Sequence, residues 1–486
     1  MREFIISISD FVCGYPLFCW LIGGGLFLFV RSRAVPLRRL GAAVRSLRVT
    51  KQTGEGQITS FQALMSAISA TVGMGNIAGV AIALVVGGPG AIFWMWVSAL
   101  LGMATKFFEG TLTVMFKGRN DKGEARGGPM YVITRGLGSR YRPLAVMFSC
   151  AGLIGCLSVM QANQFVEAFC TVFLTGAGAG AAAAGVAAAG SAAGVASAAA
   201  GAASELVADV AASTAASAAA VAGSVVAPFW VRFAIGIVMT AIVAVVVVGG
   251  IKRISKVASK IVPTMVALYF ALVLIVIVFH FRELPRVFAS IFAGAFSLRA
   301  GLGAFAAVAI TGARRAMLVN EAGVGTAMMM HGASKNAEPV REGFVAMLGP
   351  AIDSGFVCTL TAIPILIADC YHVEGVKGLS VALQSFDALI PAGRYLLMIL
   401  VTVFAFSTMF SYSYYGRTCS EYLFGKDKAR YYDWFYLAMI LVASIITLDV
   451  AVSLMDLAFA LMSVPTMFAV LRLSPRVLRA LREFKE

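Results

Sequence analysis

The sequence predicts an all-α integral membrane protein, and three observations carry that prediction: its composition, the length of its apolar runs and the placement of its basic residues. Of 486 residues, 60% are hydrophobic and only 13% are charged, with a mean hydropathy of +0.88. A water-soluble chain of this size needs far more polar residues to cover its surface. Runs such as 229–249, 261–279 and 432–448 approach the ~20 residues that carry a helix across a bilayer core. The alternating ten-residue segments of a membrane barrel are absent from the sequence. The spans are therefore expected to be helices, which satisfy their own backbone polar groups.

Windows of about 20 residues predict about eleven spans. They fall near 16–31, 62–86, 90–116, 143–172, 228–249, 261–280, 287–312, 344–368, 394–416, 432–448 and 450–471. The segments 31–60, 117–142, 250–260, 313–343 and 417–431, with the tail after 471, hold 31 of the 39 Lys and Arg residues. The positive-inside rule assigns these segments to the cytoplasm, with the N-terminus outside and the C-terminus inside. The net charge of +15 is thus a topological feature, and no nucleic-acid partner is expected. The apolar run 16–30 does not read as a cleaved signal, because arginines follow it and no small-residue cleavage site precedes Arg31.

The eight cysteines are scattered without a C-x-x-C pair and read as small hydrophobes, and three histidines without ligand spacing predict no structural metal and no cofactor. Residues 175–227 are almost wholly Ala, Gly, Ser and Val, a low-complexity insert on the outer face between the fourth and fifth spans. Enzyme chemistry is not expected: there is no H-E-x-x-H, paired-carboxylate or Ser/His arrangement within a span. A channel, the runner-up class, would show a repeated filter loop or ring-forming charges. Lys106 and Glu109, three apart, could pair on one helix face. Glu167 and Asp353 lie near predicted span ends, where a solvated role is expected.

The most informative segment is Ala70-Thr-Val-Gly-Met-Gly-Asn-Ile-Ala-Gly79, inside the second span. Three glycines and an Asn weaken regular helical bonding, and unwound backbone at that depth must line a cavity or be buried in protein. Such a break frees N–H groups that attract a carboxylate and carbonyls that coordinate a cation. A packing face of the small-x-x-x-small kind is the alternative, and Gly75–Gly79 fits it. Asn76, which a packing face does not need, favours a site. Both readings stay open on these residues alone.

This segment is continued by Gly87-Gly-Pro-Gly-Ala-Ile-Phe-Trp-Met-Trp96, Leu101-Gly-Met-Ala-Thr-Lys106, Gly127-Gly-Pro-Met-Tyr131, Gln161-Ala-Asn163 and Arg315 with Asn320-Glu-Ala-Gly323. Together, over roughly 60–165 and 310–420, they resemble the alanine or glycine:cation symporter family. The resemblance implies a LeuT-like fold: ten core helices in two inverted five-helix repeats with discontinuous helices, plus one extra N-terminal helix. Residues 1–60 would form that extra helix and a basic loop, 61–280 the first repeat, 281–472 the second and 473–486 a basic tail. The second span becomes the first core helix. Its inverted partner is expected in the seventh span, interrupted around Gly294, Gly301, Gly303 and Gly312.

By the same resemblance the protein is a secondary transporter of a bacterial-type plasma (inner) membrane. It would import a small neutral amino acid, alanine or glycine, with Na⁺ by alternating access; H⁺ coupling and another small solute are the alternatives. The substrate carboxylate would lie near Met74 and Gly75, with Asn76 beside substrate or cation and Gln161 facing the cavity. Ser407 and Thr408 resemble the hydroxyl ligands of a cation site that backbone carbonyls near Ser69 and Val72 would complete. The family usually has Trp before Ser-Tyr-Tyr-Gly, where this chain has Tyr412 before Ser413-Tyr-Tyr-Gly416; that position would border the substrate side chain. The family's Arg-Gly-Leu-Phe-Ser-Asn-Glu reads here as Arg315-Ala-Met-Leu-Val-Asn-Glu321, a change expected in a cytoplasmic loop.

Overall fold

A computed structural model describes residues 11–47, 54–175, 228–296, 302–372, 378–446 and 449–484. The Ala/Gly-rich stretch 176–227 and Gly301 lie outside the described residues. Helix α1 spans Tyr15–Arg31. Thr59 then starts α2 (Ser60–Thr71) with a reciprocal cap: its hydroxyl accepts from the Gln62 N–H, and Gln62 Oε1 accepts from the Thr59 N–H. After a two-residue break, α3 runs Met74–Gly87, turned by 46° from α2. The 26-residue α4 (Gly90–Met115) follows, then a small hairpin pairing Gly118–Arg119 with Ala125–Arg126.

Helices α5 (Arg142–Gly155) and α6 (Val159–Cys170) are kinked halves of one predicted span, 143–172. Next come α7 (Phe229–Val247), α8 (Gly250–Phe279) and α9 (Leu284–Ala295). Then follow α10 (Leu302–Asn320), α11 (Thr326–Gly332), α12 (Pro339–Ala346) and α13 (Cys358–Ala368). The chain closes with α14 (Leu379–Leu389), α15 (Gly393–Phe424), α16 (Lys426–Ile445) and α17 (Asp449–Glu483). Among the described residues, seven helical segments are long and apolar enough to cross a membrane, and the bent α2–α3 pair makes an eighth. The all-α membrane class is as the composition predicted.

Several boundaries differ from the sequence reading, for one physical reason. Hydropathy follows the apolar part of a helix, whereas backbone hydrogen bonding carries the helix on through polar residues. Thus α8 begins at Gly250 and carries Lys252, Arg253, Lys256 and Lys260 on its first turns, where the sequence suggested a loop. No single helix spans 287–312. Instead α9 ends at Ala295, and α10 passes without interruption through Gly303 and Gly312. Gly312 and Gly294 allow close packing: a Cβ on Gly312 would stand 2.2 Å from the Ala91 carbonyl oxygen, and one on Gly294 2.8 Å from the Gly90 nitrogen. The stretch 313–343 is not one loop: it contains the end of α10, a buried break, α11, all of whose residues are buried, and a short connection, 333–338, into α12.

The two broken helices lie side by side. Helix α2 packs on α11 and α3 packs on α10, so the first half of one meets the second half of the other and the pair runs antiparallel. Helix α4 packs along α10, α11 and α12, while α15 packs against α2, α8 and α16. The two breaks are thereby enclosed between α4 on one side and α15 on the other. At the end of the bundle where α2 starts, Glu342 of α12 accepts hydrogen bonds from Ser60 Oγ (2.5 Å) and Asn336 Nδ2 (3.1 Å) and pairs with His331 Nδ1 at 2.7 Å. Beside it the Lys117 ammonium donates to the carbonyls of Ser334 and Glu55, although burial lowers its pKa from the ordinary lysine value.

Candidate functional site

The first break is made by Val72 and Gly73. Val72 leaves the helix at ψ 93°, and Gly73 is extended at φ −146°, ψ −157°. The backbone here lies against α15: a Cβ at position 73 would stand 2.4 Å from Thr408 Oγ1. Glycine is therefore required by the close approach and not by its torsions. Asn76 steadies the restart of the helix, its Oδ1 accepting a hydrogen bond from the Gly73 N–H at 3.0 Å. Its amide donates to Cys358 Sγ of α13 at 3.6 Å, and the side chain is fully buried. Met74 and Gly75 occupy the first positions of α3, where backbone N–H groups have no acceptor within the helix. With the positive end of the helix dipole, they form a place that favours an anion.

On the other side of Val72, hydroxyls and carbonyls converge. Ser69 Oγ donates to the Ser407 carbonyl at 2.7 Å and lies 2.9 Å from Ser411 Oγ. Ser407 Oγ donates to the Phe404 carbonyl at 2.9 Å and lies 3.5 Å from the Ser69 carbonyl. Thr408 Oγ1 donates to the same Phe404 carbonyl at 3.1 Å. Ser69, Val72, Ser407, Thr408 and Ser411 are all buried. This set of uncharged oxygens suits a hard monovalent cation, with no thiolate or imidazole to attract a transition metal. Among the described residues no group of three or more His, Cys, Asp or Glu side chains is arranged to hold a metal ion.

The second break, Glu321–Gly325, follows from three residues of positive φ: Glu321 (52°), Gly323 (88°) and Gly325 (93°). Its polar groups are taken up by neighbouring elements. Asn320 Oδ1 accepts from the Ala322 N–H at 3.0 Å, and Glu109 Oε1 of α4 accepts from the Gly323 N–H at 2.8 Å. Lys106 Nζ stands 3.7 Å from Glu109 Oε2, the pairing expected from their spacing. Glu321 accepts from Thr326 Oγ1 at 2.5 Å and from the Tyr412 hydroxyl. All of these side chains are buried.

The structure thus brings Ser69, Val72, Ser407 and Thr408 together and places Met74, Gly75 and Asn76 at the adjoining helix start. Tyr412 lies one turn beyond Thr408 on the same helix, but its hydroxyl is held by Glu321, and its ring centroid is 6.3 Å from that of Phe459. Gln161, on α6, has a buried Oε1 with no hydrogen-bond partner among the described residues. Its neighbour in the motif, Asn163, is spent on α16, donating to the Ala443 and Ile446 carbonyls. Sequence reasoning missed Ser411, although it lies four residues after Ser407 and so on the same helix face. It also missed the structural role of Glu321. Asp353 lies deep in the span Pro339–Ala368, buried rather than solvated, whereas Glu167 is exposed on the surface of the bundle.

Comparison with known proteins bears on this arrangement. The sequence profile of the sodium:alanine symporter family matches residues 1–212 and 192–486. The sodium/alanine symporter AgcS of Methanococcus maripaludis is 34% identical, with 99% of this chain and 96% of that protein covered. The putative sodium/proton-dependent alanine carrier protein YrbD of Bacillus subtilis is 30% identical over 100% of this chain and 93% of its own length. Among solved structures, MhsT in complex with L-phenylalanine superposes with a TM-score of 0.57 at 15% identity, covering 86% of this chain and 89% of that one. That likeness establishes the fold, a LeuT-type helical bundle with broken helices. The chain belongs to the sodium:alanine symporter family, a family of membrane transporters.

Proposed function

We propose that the protein imports a small neutral amino acid, alanine or glycine, together with Na⁺ by alternating access. The observation that carries this reading is the meeting of the Val72–Gly73 break with Ser407 and Thr408: a helix start that favours an anion lies one residue from a cluster of uncharged oxygens. A zwitterion and a cation are the natural pair of occupants. The substrate carboxylate would take the N–H groups of Met74 and Gly75, with Asn76 holding the restart of α3 in place. Na⁺ would be held by the Ser407 and Thr408 hydroxyls and the carbonyls of Ser69 and Val72, the hydroxyls turning their lone pairs inward. Gln161 would complete the substrate side, and Tyr412 would set its far wall through its bond to Glu321.

Coupling follows from the shared backbone. The same two residues separate the two sites, so a cation drawing the Val72 carbonyl inward also fixes the N–H groups that meet the carboxylate. Each ligand therefore favours the geometry the other requires, and linkage makes the effect reciprocal. The relatives named above carry sodium and alanine in their names, which supports this choice of ligands. H⁺ is the second coupling ion to consider, because the name of one of these relatives includes a proton. The test is equilibrium binding of radiolabelled alanine and glycine to the purified protein in Na⁺ and in choline at fixed pH. Binding is expected in Na⁺ only, and T408A is expected to weaken it at low Na⁺ and recover at high Na⁺. Equal binding in both salts would remove Na⁺ from the account.

A further inference from the structure

Asp353 is a buried carboxylate that this transport site does not use. It lies within the span Pro339–Ala368, in the π-helical turn Ala351–Val357, and is 1% exposed. Turns of this kind insert one residue into a helix and recur at functional positions. Asp353 Oδ1 accepts a hydrogen bond from Ser354 Oγ at 2.6 Å. Oδ2 is buried and has no hydrogen-bond partner among the described residues. The carboxyl group lines a small cleft beneath the first break, together with Ile68 and Thr71 of α2, Lys106, Asn320 and His331. The Thr71 hydroxyl, 3.4 Å from the Ile68 carbonyl, also interacts with the Asp353 carboxyl group, and Asn320 Nδ2 has no hydrogen-bond partner among the described residues.

The charges around it do not balance. Helix α4 presents Lys106 and Glu109, the second break Glu321, and α11 His331, while the span of Asp353 itself adds Glu342, Cys358 and Arg341, which is paired with Glu338. Helices α2 and α3 carry no titratable side chain. On α10, Arg314 lines a separate hollow with Leu17, Leu21 and Phe459, and Arg315 lies in the field of Asp456. Glu342 is matched by His331, Ser60 and Asn336. Three acids, Glu109, Glu321 and Asp353, then face one ammonium, Lys106. Lys106 stands beside Glu109. Glu321 keeps two hydroxyl donors, which favour its ionised form. Asp353 has Ser354 on Oδ1, the Thr71 hydroxyl nearby and no ion pair, and its Oδ2, unlike either oxygen of Glu321, is without a hydrogen bond among the described residues. A buried carboxylate in that position is costly when charged and becomes neutral by taking a proton.

From this geometry we infer that Asp353 is a proton-binding site of the carrier: it takes a proton from water that reaches the open cleft, holds it while the cleft is closed, and returns it to water when α2 swings away again. The oxygen that holds the proton is Oδ2, and the water that enters the cleft accepts it. Lys106 favours its release once the carboxylate can be solvated. The proton site is separate from the oxygen cluster at Ser407 and Thr408, and lies on the α4 side of the broken helix.

The test uses the purified full-length chain in proteoliposomes. Infrared spectroscopy at neutral pH reads the carbonyl stretch of a protonated carboxyl group. The band is expected in the wild type, lost in D353N and shifted in D353E, which retains a carboxyl group should D353N fold poorly. A wild-type spectrum without the band, or a D353N spectrum that keeps it, overturns the inference. So does a band that vanishes when Na⁺ replaces choline at fixed pH, since the carboxylate then holds a metal cation. A second arm rests on the transport reading above. With a pH-sensitive dye inside the vesicles, alanine entry under a fixed Na⁺ gradient is expected to move protons in the wild type and not in D353N, while alanine binding persists. Equal proton movement in both overturns the inference; absence of alanine entry in the wild type counts against the transport reading, and the infrared band still decides the proton site.

Discussion

Replacing Gly73 with alanine probes the contact on which coupling depends. The added methyl would stand 2.4 Å from Thr408 Oγ1, with Thr408 Cβ at 3.5 Å and Cγ2 at 3.8 Å. The conflict is thus with the hydroxyl alone, the atom assigned to the cation. Relieving it to ordinary contact moves that oxygen or the break by about 1 Å, and overpacking of this kind costs about 1–3 kcal/mol. If the strain falls on the cation site, the Na⁺ concentration for half-maximal alanine binding rises by about 5- to 150-fold at 1.4 kcal/mol per tenfold. Gly79→Ala is the matched control, because its Cβ would meet only Val319 Cγ2 at an ordinary 3.6 Å. The assay is a Na⁺ titration of alanine binding, with thermal unfolding to confirm that both variants are folded. A G73A protein with wild-type Na⁺ dependence would refute the placement of Thr408 in the cation site.

Other perturbations give distinct readouts. Asn76→Ala removes the side chain that accepts the Gly73 N–H, at a cost of about 0.5–2 kcal/mol to the helix start; uptake is expected to be lost with membrane insertion intact, and normal uptake would sink the assignment. Tyr412→Phe deletes one of the two hydroxyl donors to Glu321, worth about 1–3 kcal/mol for a buried acceptor. A lowered unfolding temperature is expected, whereas unchanged stability together with unchanged transport would mean that this bond is idle. Arg126→Ala leaves Glu421, which accepts from Arg126 Nε at 2.7 Å and is 7% exposed, with only the longer 3.8 Å pairing to Arg417; a loss toward the lower end of the about 3–5 kcal/mol for breaking a buried pair is expected, reduced in the double variant with Glu421→Gln. In the same hairpin, the hydrogen bond from Lys426 lowers the Glu124 pKa below 4.5. Its contribution is complete above the ordinary carboxylate value and is lost as pH falls through the lower folded one. Protection of the hairpin 118–126 amides, exchange rates being divided by the intrinsic rate at each pH, should therefore be flat from neutral pH down to the ordinary carboxylate range, and a loss of protection above that range would contradict this.

Much of this architecture was legible in the sequence, and where it was not the reason is physical. Long apolar runs disclosed the helices, while Gly73 with Asn76 pointed to the first break without excluding a small-residue packing face, because glycine inside an apolar span serves both uses. The second break was misplaced toward Gly294–Gly312. Gly294 and Gly312 serve close helix packing, whereas Gly323 and Gly325 turn the chain, and glycine content alone does not separate the two roles. Arg314, Arg315 and Glu321 looked like loop residues, since charge is the usual mark of a loop. Here tertiary partners, Tyr412 and Thr326 for Glu321, make the charge tolerable inside. Ser407 and Thr408 came from resemblance. Their opposition to Ser69 and Val72 exists only once α15 lies across the broken helix, 338 residues away in sequence. Asp353 looked solvated because helix α12 and its continuation extend the span beyond its apolar core.

The central claim is that an amino acid and Na⁺ bind on either side of the Val72–Gly73 break and move together. Uptake of radiolabelled alanine into proteoliposomes under an inward Na⁺ gradient, with choline replacing Na⁺ at fixed pH as the comparison, tests it most directly. Concentrative uptake in Na⁺ and only equilibration-level entry in choline is the expected result. Concentrative uptake that survives in choline would contradict it.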